Sequence, residues 1–392
     1  MAFNQGTICS FDKIYISLKV TTTMKQQYLS ESEKELLTAI GRYPQMSMKE
    51  LINYTGYKRV SSIVRKVNEF REQNFLCGPI YRADLGKLSK NPLHRLMCII
   101  ECSQSYETII SYLKLTESLV WVYPVLSSHK ELLIVGFLSS NDTEVTALFQ
   151  LLKDNNIITD FVVRARRHRD VKECPNFFED FVPPLDTLCD PCEPPDISFG
   201  RHDTEWNECD IRTLSYLCGG YESIKLTNIL KKERRLDKKK WTYNQIKYSY
   251  NKMLKSKLIR EIYYIYPLPL EQCADFFLFL KTEDIELTLR ILCNFARGGR
   301  IYREYTLCGD WGLIGCICHP QFVLDLMHKL DQVDEIKEKE LYHVRSTPPG
   351  ICYVGQRAEF IHFDVDTQTL EYPYHVYKEK IKEKIENELA HR

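Results

Sequence analysis

The residues best suited to chemistry in this chain are clustered cations with hydroxyl neighbours. Lys58, Arg59, Ser61, Ser62, Arg65 and Lys66 fall within nine positions. Such a set can meet phosphate oxygens and the acceptor edge of guanine. Arg82 and Lys87 follow in a glycine-punctuated stretch. A second cluster, Lys231 to Lys240, holds seven basic and two acidic residues and leads into Tyr243, Gln245 and Lys247. A charge run of this kind is usually a solvated face. Its place between two helices favours phosphate contact instead, with Lys239 and Lys240 the nearest cations to the second of those helices.

Other chemistries are thinner. Cys189-Asp-Pro-Cys192 lies in a proline-rich stretch, with Cys174, His202 and Cys209 at irregular distances. A structural zinc site usually shows two close pairs, so no metal is expected and unliganded thiols are the plainer reading. Cys316 and Cys318 share one face of a strand and read as core residues. No Ser-His-Asp set, phosphate-binding glycine loop or H-E-x-x-H motif is present, and the carboxylates are not paired. The expectation is therefore no enzyme and no cofactor.

The elements that must position these residues are legible from capping and periodicity. Ser30 and Glu33 form a capping box ahead of Leu36, Leu37 and Ile40. Ser47 and Glu50 form another, opening a short helix with Leu51 and Ile52. A third helix from about Lys58 carries Ile63, Val64, Val67 and Phe70 on one face. Three short helices, the last two separated by a glycine-containing turn, spell a helix-turn-helix, and Phe75 to Leu88 reads as its wing. The plainer alternative is a solvated basic helix in a protein-interaction module.

The order of elements then repeats. The helix from Asp142 has a counterpart from Pro320, 178 positions later, and the strand from Leu96 one from Phe276, 180 positions later. Each copy runs strand–helix–strand–strand–helix–strand: Leu96–Cys102, a helix from Tyr106, Leu119–Leu126, Leu132–Leu138, the helix from Asp142 and Ile157–Arg166, then Phe276–Leu280, a helix from Ile285, Ile301–Cys308, Leu313–Cys318, the helix from Pro320 and Val333–Tyr342. That order builds a four-stranded ferredoxin-like sheet with both helices on one face, leaving the other face to be covered by its duplicate. The fold class is α+β, a tandem repeat of winged helix-turn-helix plus ferredoxin-like βαββαβ domain, in effect a pseudo-dimer.

Composition sets the limits. A length of 392 residues calls for several cores, and a formal net charge of zero means that any nucleic-acid contact must come from local patches. Fifteen cysteines, an odd number scattered through apolar runs, fit reduced thiols in a cytoplasmic protein. No apolar run reaches the roughly 18 residues that span a bilayer. The segment before Met24 is either a tail outside the fold or sequence ahead of the natural start, and both readings stay open.

With the wing and first sheet strand in order behind Ser62 to Leu76, each half resembles the feast/famine regulators of the leucine-responsive and asparagine-operon type. The second half also has Cys308-Gly-Asp-Trp311 where that family carries a Gly-Asp-aromatic turn; the first has Ser127-Ser-His-Lys130. The resemblance spans 28–168 and 206–345. It implies a DNA-binding transcriptional regulator that associates into oligomers, with double-stranded DNA as partner and a small-molecule effector such as an amino acid near Gly309 and Asp310. Siroheme decarboxylases are similar in fold, but the His-Asn-Tyr type of hairpin motif is absent from both hairpins. That reading, and a non-catalytic scaffold, are the alternatives. The expected division is a tail over 1–27, winged helices over 28–92 and 206–268, ferredoxin-like domains over 93–170 and 269–345, a linker over 171–205 and a C-terminal strand and charged helix over 346–392.

Overall fold

The computed structural model describes residues 29–127, 129–218, 224–235, 241–345 and 360–390. The first winged helix opens with α1 (Glu31–Arg42), capped reciprocally by Ser30 and Glu33. The box at Ser47 and Glu50 also forms, yet it opens only a 3-10 turn, Glu50–Tyr54. Helix α2 (Val60–Glu72) buries Ile63, Val67 and Phe70 and leaves Val64 exposed, a narrower stripe than the sequence suggested. Strand β1 (Leu76–Ala83) and a short helix, α3 (Leu85–Leu88), complete this segment.

The first ferredoxin-like unit follows as β2 (His94–Cys102), α4 (Tyr106–Leu113), β3 (Leu119–Val125), β4 (Leu132–Ser139), α5 (Asp142–Asp154) and β5 (Ile158–Arg166). After the short β6 (Val171–Glu173) and a linker come α6 (Glu208–Leu217), α7 (Leu226–Arg235), α8 (Tyr243–Lys255) and β7 (Ile259–Ile265). The second sheet unit is β8 (Ala274–Lys281), α9 (Ile285–Asn294), β9 (Tyr302–Cys308), β10 (Trp311–Cys318), α10 (Pro320–Asp331) and β11 (Glu338–His343). Each unit has the strand order of a ferredoxin-like sheet: β5-β2-β4-β3 in the first and β11-β8-β10-β9 in the second.

The two sheets join along both edges. Arg166 pairs with Cys308, and β6 extends that seam along β9. On the far side Val125 bridges Val344, flanked by the Leu126 amide on the His343 carbonyl at 2.8 Å. The inner faces meet on Met97, Ile99, Ile134, Phe279 and Leu313, with Trp121 stacked on Phe277 at 5.8 Å. Gly136 permits that stacking, because a Cβ there would lie 2.3 Å from Trp121 Cε2. Arg164 enters the same layer between Phe279 and Trp311 and forms a two-pronged bond with Glu340 at 2.8 and 2.9 Å.

The wings do not fold back as free hairpins. Strands β1 and β7 pair antiparallel with each other, placing Leu76 opposite Ile265 and Arg82 opposite Arg260. Tyr263 and Ile265 of β7 pack into the core of the first winged helix, while Tyr81 of β1 meets Tyr250 of α8, hydroxyl to hydroxyl at 3.0 Å. Each wing thus completes its neighbour's winged helix.

Two segments cover the outer helices. Leu185, Leu188 and Ile197 of the linker join the core of the second unit. Helix α11 (Tyr374–Ala390) packs on the first unit through Tyr374, Tyr377, Ile381 and Ile385, with Leu389 outside the stripe. The C-terminal strand expected within 346–392, at Ala358 to Phe363 by its apolar pattern, lies partly outside the described residues; within them Phe360–His362 is a 3-10 turn followed by the two-residue strand Phe363–Asp364. No helix among the described residues is long and apolar enough to cross a membrane.

Candidate functional site: an arginine-lined cavity

A cavity of about 290 Å³ opens where β1, the start of β2, the connector after β5 and the α8–β7 corner meet. Arg82, Arg95, Arg169, Lys257 and Arg260 line it, together with His168 and an apolar wall of Phe199, Leu254, Leu258 and Ile259. Its two carboxylates are already engaged. Asp84 caps α3 and accepts from the Gly200 amide at 3.1 Å.

Asp170 is buried beneath three guanidinium groups. Its Oδ2 accepts from Arg82 Nη1 at 3.4 Å and Arg95 Nη1 at 3.3 Å, and its Oδ1 from Arg166 Nη2. Arg260 Nη2 donates to its main-chain carbonyl at 3.1 Å. Burial by itself would raise this carboxyl, but Arg166, Arg95 and Arg82 hold it down to about 2. Arg82 gives its second nitrogen to both oxygens of Glu304 at 2.8 Å and to the Tyr264 hydroxyl.

The cations keep donors to spare. Arg166 Nε and Arg169 Nε are buried without a partner. Arg95 and Arg260 are both held below the ordinary arginine range, first by burial and also by neighbouring Arg82. Arg169 is also paired with Asp196 at 3.3 Å, and the site's cations still outnumber its carboxylates, a field that favours an anionic ligand. Burial lowers His168, leaving its imidazole neutral at pH 7 and able to accept a proton. Beneath the cavity Lys172 reaches the Tyr263 carbonyl, and burial pushes its ammonium down to about 8.

The cations singled out from the sequence are dispersed. Lys58, Arg59 and Ser61 are exposed around the start of α2, and Ser62 is half-buried. Arg65 is exposed and reaches Glu69 at 3.6 Å, whereas Lys66 is tied to Glu33 at 2.8 Å and to Glu69. Arg82, expected on a wing surface, is instead buried in the ion network because its strand pairs with β7. Lys87 is bound to Asp203 at 3.0 Å. On α8, Tyr243 and Lys247 are exposed, and Gln245 accepts from the Thr242 amide at 2.9 Å as a capping partner. Lys239 and Lys240 lie outside the described residues.

Gly309 adopts φ +66° in an exposed turn, and Asp310 pairs with Lys281 at 2.5 Å; neither lines the cavity. Cys189 sits by Glu335 and Cys192 by Cys293, so that pair does not converge, and among the described residues no group of three metal-ligating side chains is placed to hold an ion. Arg95, His168, Asp170 and Arg260 were not anticipated. For His168 and Asp170 the one local signal was Arg164-Ala-Arg-Arg-His-Arg-Asp170, a dense basic run at the end of a strand; Arg95 and Arg260 lie outside it.

No family model and no curated protein matches the chain. Among solved structures, siroheme decarboxylase NirDL is similar at 12% identity with a TM-score of 0.49, covering 92% of this chain and all of its own. A transcriptional regulatory protein of the AsnC family from Pyrococcus furiosus is similar at 16% identity and a TM-score of 0.23, over 35% of this chain and 89% of its own. A mutant chlorite dismutase from Candidatus Nitrospira defluvii covers 66% of this chain and 94% of its own at 8% identity, with a TM-score of 0.28. The expectation of no enzyme does not stand against this set, because the solved structures similar over two thirds of the chain or more include a siroheme decarboxylase and a monooxygenase-like protein. These similarities describe architecture: a fold common to enzymes and to a regulator.

Proposed function

We propose that this chain binds a carboxylate-bearing small molecule in the arginine-lined cavity and exchanges a proton with it through His168. The observation that carries the reading is the surplus of cations over available carboxylates in a half-enclosed site with one apolar wall. Arg95 and Arg260 fit the planar two-oxygen geometry of a carboxylate. The apolar wall takes the ligand's body, and the neutral imidazole supplies the acid–base group. At about 290 Å³ the cavity stands at the small end of ligand sites, about 300–1,000 Å³. It takes a compact acid or one carboxylated edge of a larger molecule.

The test is calorimetric titration with citrate and with a carboxylated porphyrin, alongside Arg95→Ala and Arg260→Ala, plus an assay for released carbon dioxide. The expected result is binding that weakens at least tenfold in each variant. Absence of binding at low ionic strength would defeat the proposal.

A second reading keeps double-stranded DNA as a partner, because Lys58, Arg59, Ser61 and Arg65 remain exposed around the N-terminal end of α2, where a recognition helix meets base edges. Ser62 and Lys66 flank them, and Tyr243, Gln245 and Lys247 at the start of α8 are the second-copy candidates. In this reading the cavity ligand is the effector, since both wings form its walls. DNA binding across a salt series, with Arg59→Ala/Arg65→Ala as comparison, decides it: a steep slope that flattens in the variant supports the reading, and no affinity at low salt ends it.

A further inference from the structure

Asp170 is an acidic side chain toward which three strands aim arginines: Arg82 from β1, Arg95 from β2 and Arg166 from β5. Its contacts are unequal. Arg82 makes shorter bonds, at 2.8 Å, to Glu304 than the 3.4 Å it makes to Asp170. Arg95 reaches Asp170 at 3.3 Å, is about a third exposed and lines the cavity with its remaining donors. Asp170 itself lines the same cavity from the connector between β5 and β6.

We propose that Asp170 is a resident carboxylate, seated where a ligand carboxylate would otherwise bind, and that it makes the cavity selective for polycarboxylates over monocarboxylates. The inference rests on the cavity being an anion site. A tethered group competes at high effective concentration, so a ligand with a single carboxylate gains little by approaching Arg95. A ligand with two or three carboxylates also engages Arg260 and Lys257, which Asp170 does not reach with its carboxylate, whereas Arg169 is already paired with Asp196 at 3.3 Å. The charge requirement follows from the geometry: the inner cations are shared with Asp170, and the outer ones are left to the ligand.

The experiment measures binding of citrate and of benzoate to the full chain and to Asp170→Asn and Asp170→Glu. The wild type is expected to bind citrate at least tenfold more tightly than benzoate. Asp170→Asn is expected to raise benzoate affinity at least tenfold and so narrow the gap. Asp170→Glu keeps the charge that holds the arginines together and extends the carboxylate one methylene further, so citrate affinity is expected to fall at least fivefold. Citrate binding to the wild type that is unchanged in Asp170→Glu, or benzoate affinity no higher in a folded Asp170→Asn, overturns this inference and leaves the cavity assignment standing. A wild type that binds neither probe overturns both.

Discussion

Arg82 and Arg260 face each other directly across the β1–β7 pair, although they are 178 residues apart in the chain. They belong to the strands that follow α2 and α8, so the pairing brings one cation from each copy to the same wall. Like charges at opposed positions normally weaken a strand pair. Here each has an acceptor on the segment that follows β5, Arg82 the carboxylate of Asp170 and Arg260 its carbonyl. The pairing keeps two cations at the cavity wall, a local conflict of the kind found at working sites.

Asp170 makes the fold acid-sensitive in a defined window. Its carboxyl, ordinarily near 3.8, is held at about 2, so its contribution is fully present above pH 4 and is lost as pH falls toward 2. Denaturant titrations from pH 2 to 7 on the wild type and Asp170→Asn are expected to converge at the acid end and separate above pH 4, with the wild type the more stable.

Asp275 behaves in the opposite sense. Burial, with the Glu304 charge nearby, raises it to about 7. A carboxyl raised in the folded state costs stability as pH climbs from about 4 to 7. Asp275→Asn is therefore expected to match the wild type at pH 4 and to exceed it at pH 8, by roughly 1–3 kcal/mol. A variant less stable at pH 8 would contradict this.

Glu340→Gln removes the partner of Arg164 in the layer between the sheets. Arg164 is 9% exposed and Glu340 about a third exposed, so the loss sits below that of a fully buried pair, at about 1–3 kcal/mol. Replacing both residues by Met is expected to recover most of it, as measured in a double-mutant cycle.

Tyr377→Ala should detach the first turns of α11. The side chain is fully buried, and its hydroxyl donates to Glu117 at 3.3 Å. A loss of about 3–5 kcal/mol is expected from thermal unfolding, in line with other large-to-small core changes.

Much of the architecture was legible because it is local. The capping box at Ser30, the continuous apolar run through Leu132–Leu138 and the apolar face of the helix from Asp142 each report on one element. The repeat of that order at offsets of 178 and 180 pointed to the pairing of the sheets. What stayed hidden depends on distant partners. Nothing near Arg82 says that its strand pairs with residues 259–265 rather than turning back on itself, so a buried network cation was read as a wing cation. The cavity draws Arg95, His168 and Arg260 from three segments, and no spacing rule joins them. The box at Ser47 was sound in its hydrogen bonds but its helix stopped after one 3-10 turn, in which Leu51 is buried and Ile52 packs only partly on the core.

The two covering segments cross over. Helix α11, at the far end of the chain, shields the first ferredoxin-like unit, and the linker that follows the first unit shields the second. Each half has thus surrendered part of its core to sequence belonging to the other. A cut near residue 205 would yield two fragments that are each incomplete and that can regain a full set of layers only by finding one another. Whatever symmetric ancestor the duplication implies, the present chain has become a single heritable unit from which neither half can be withdrawn intact.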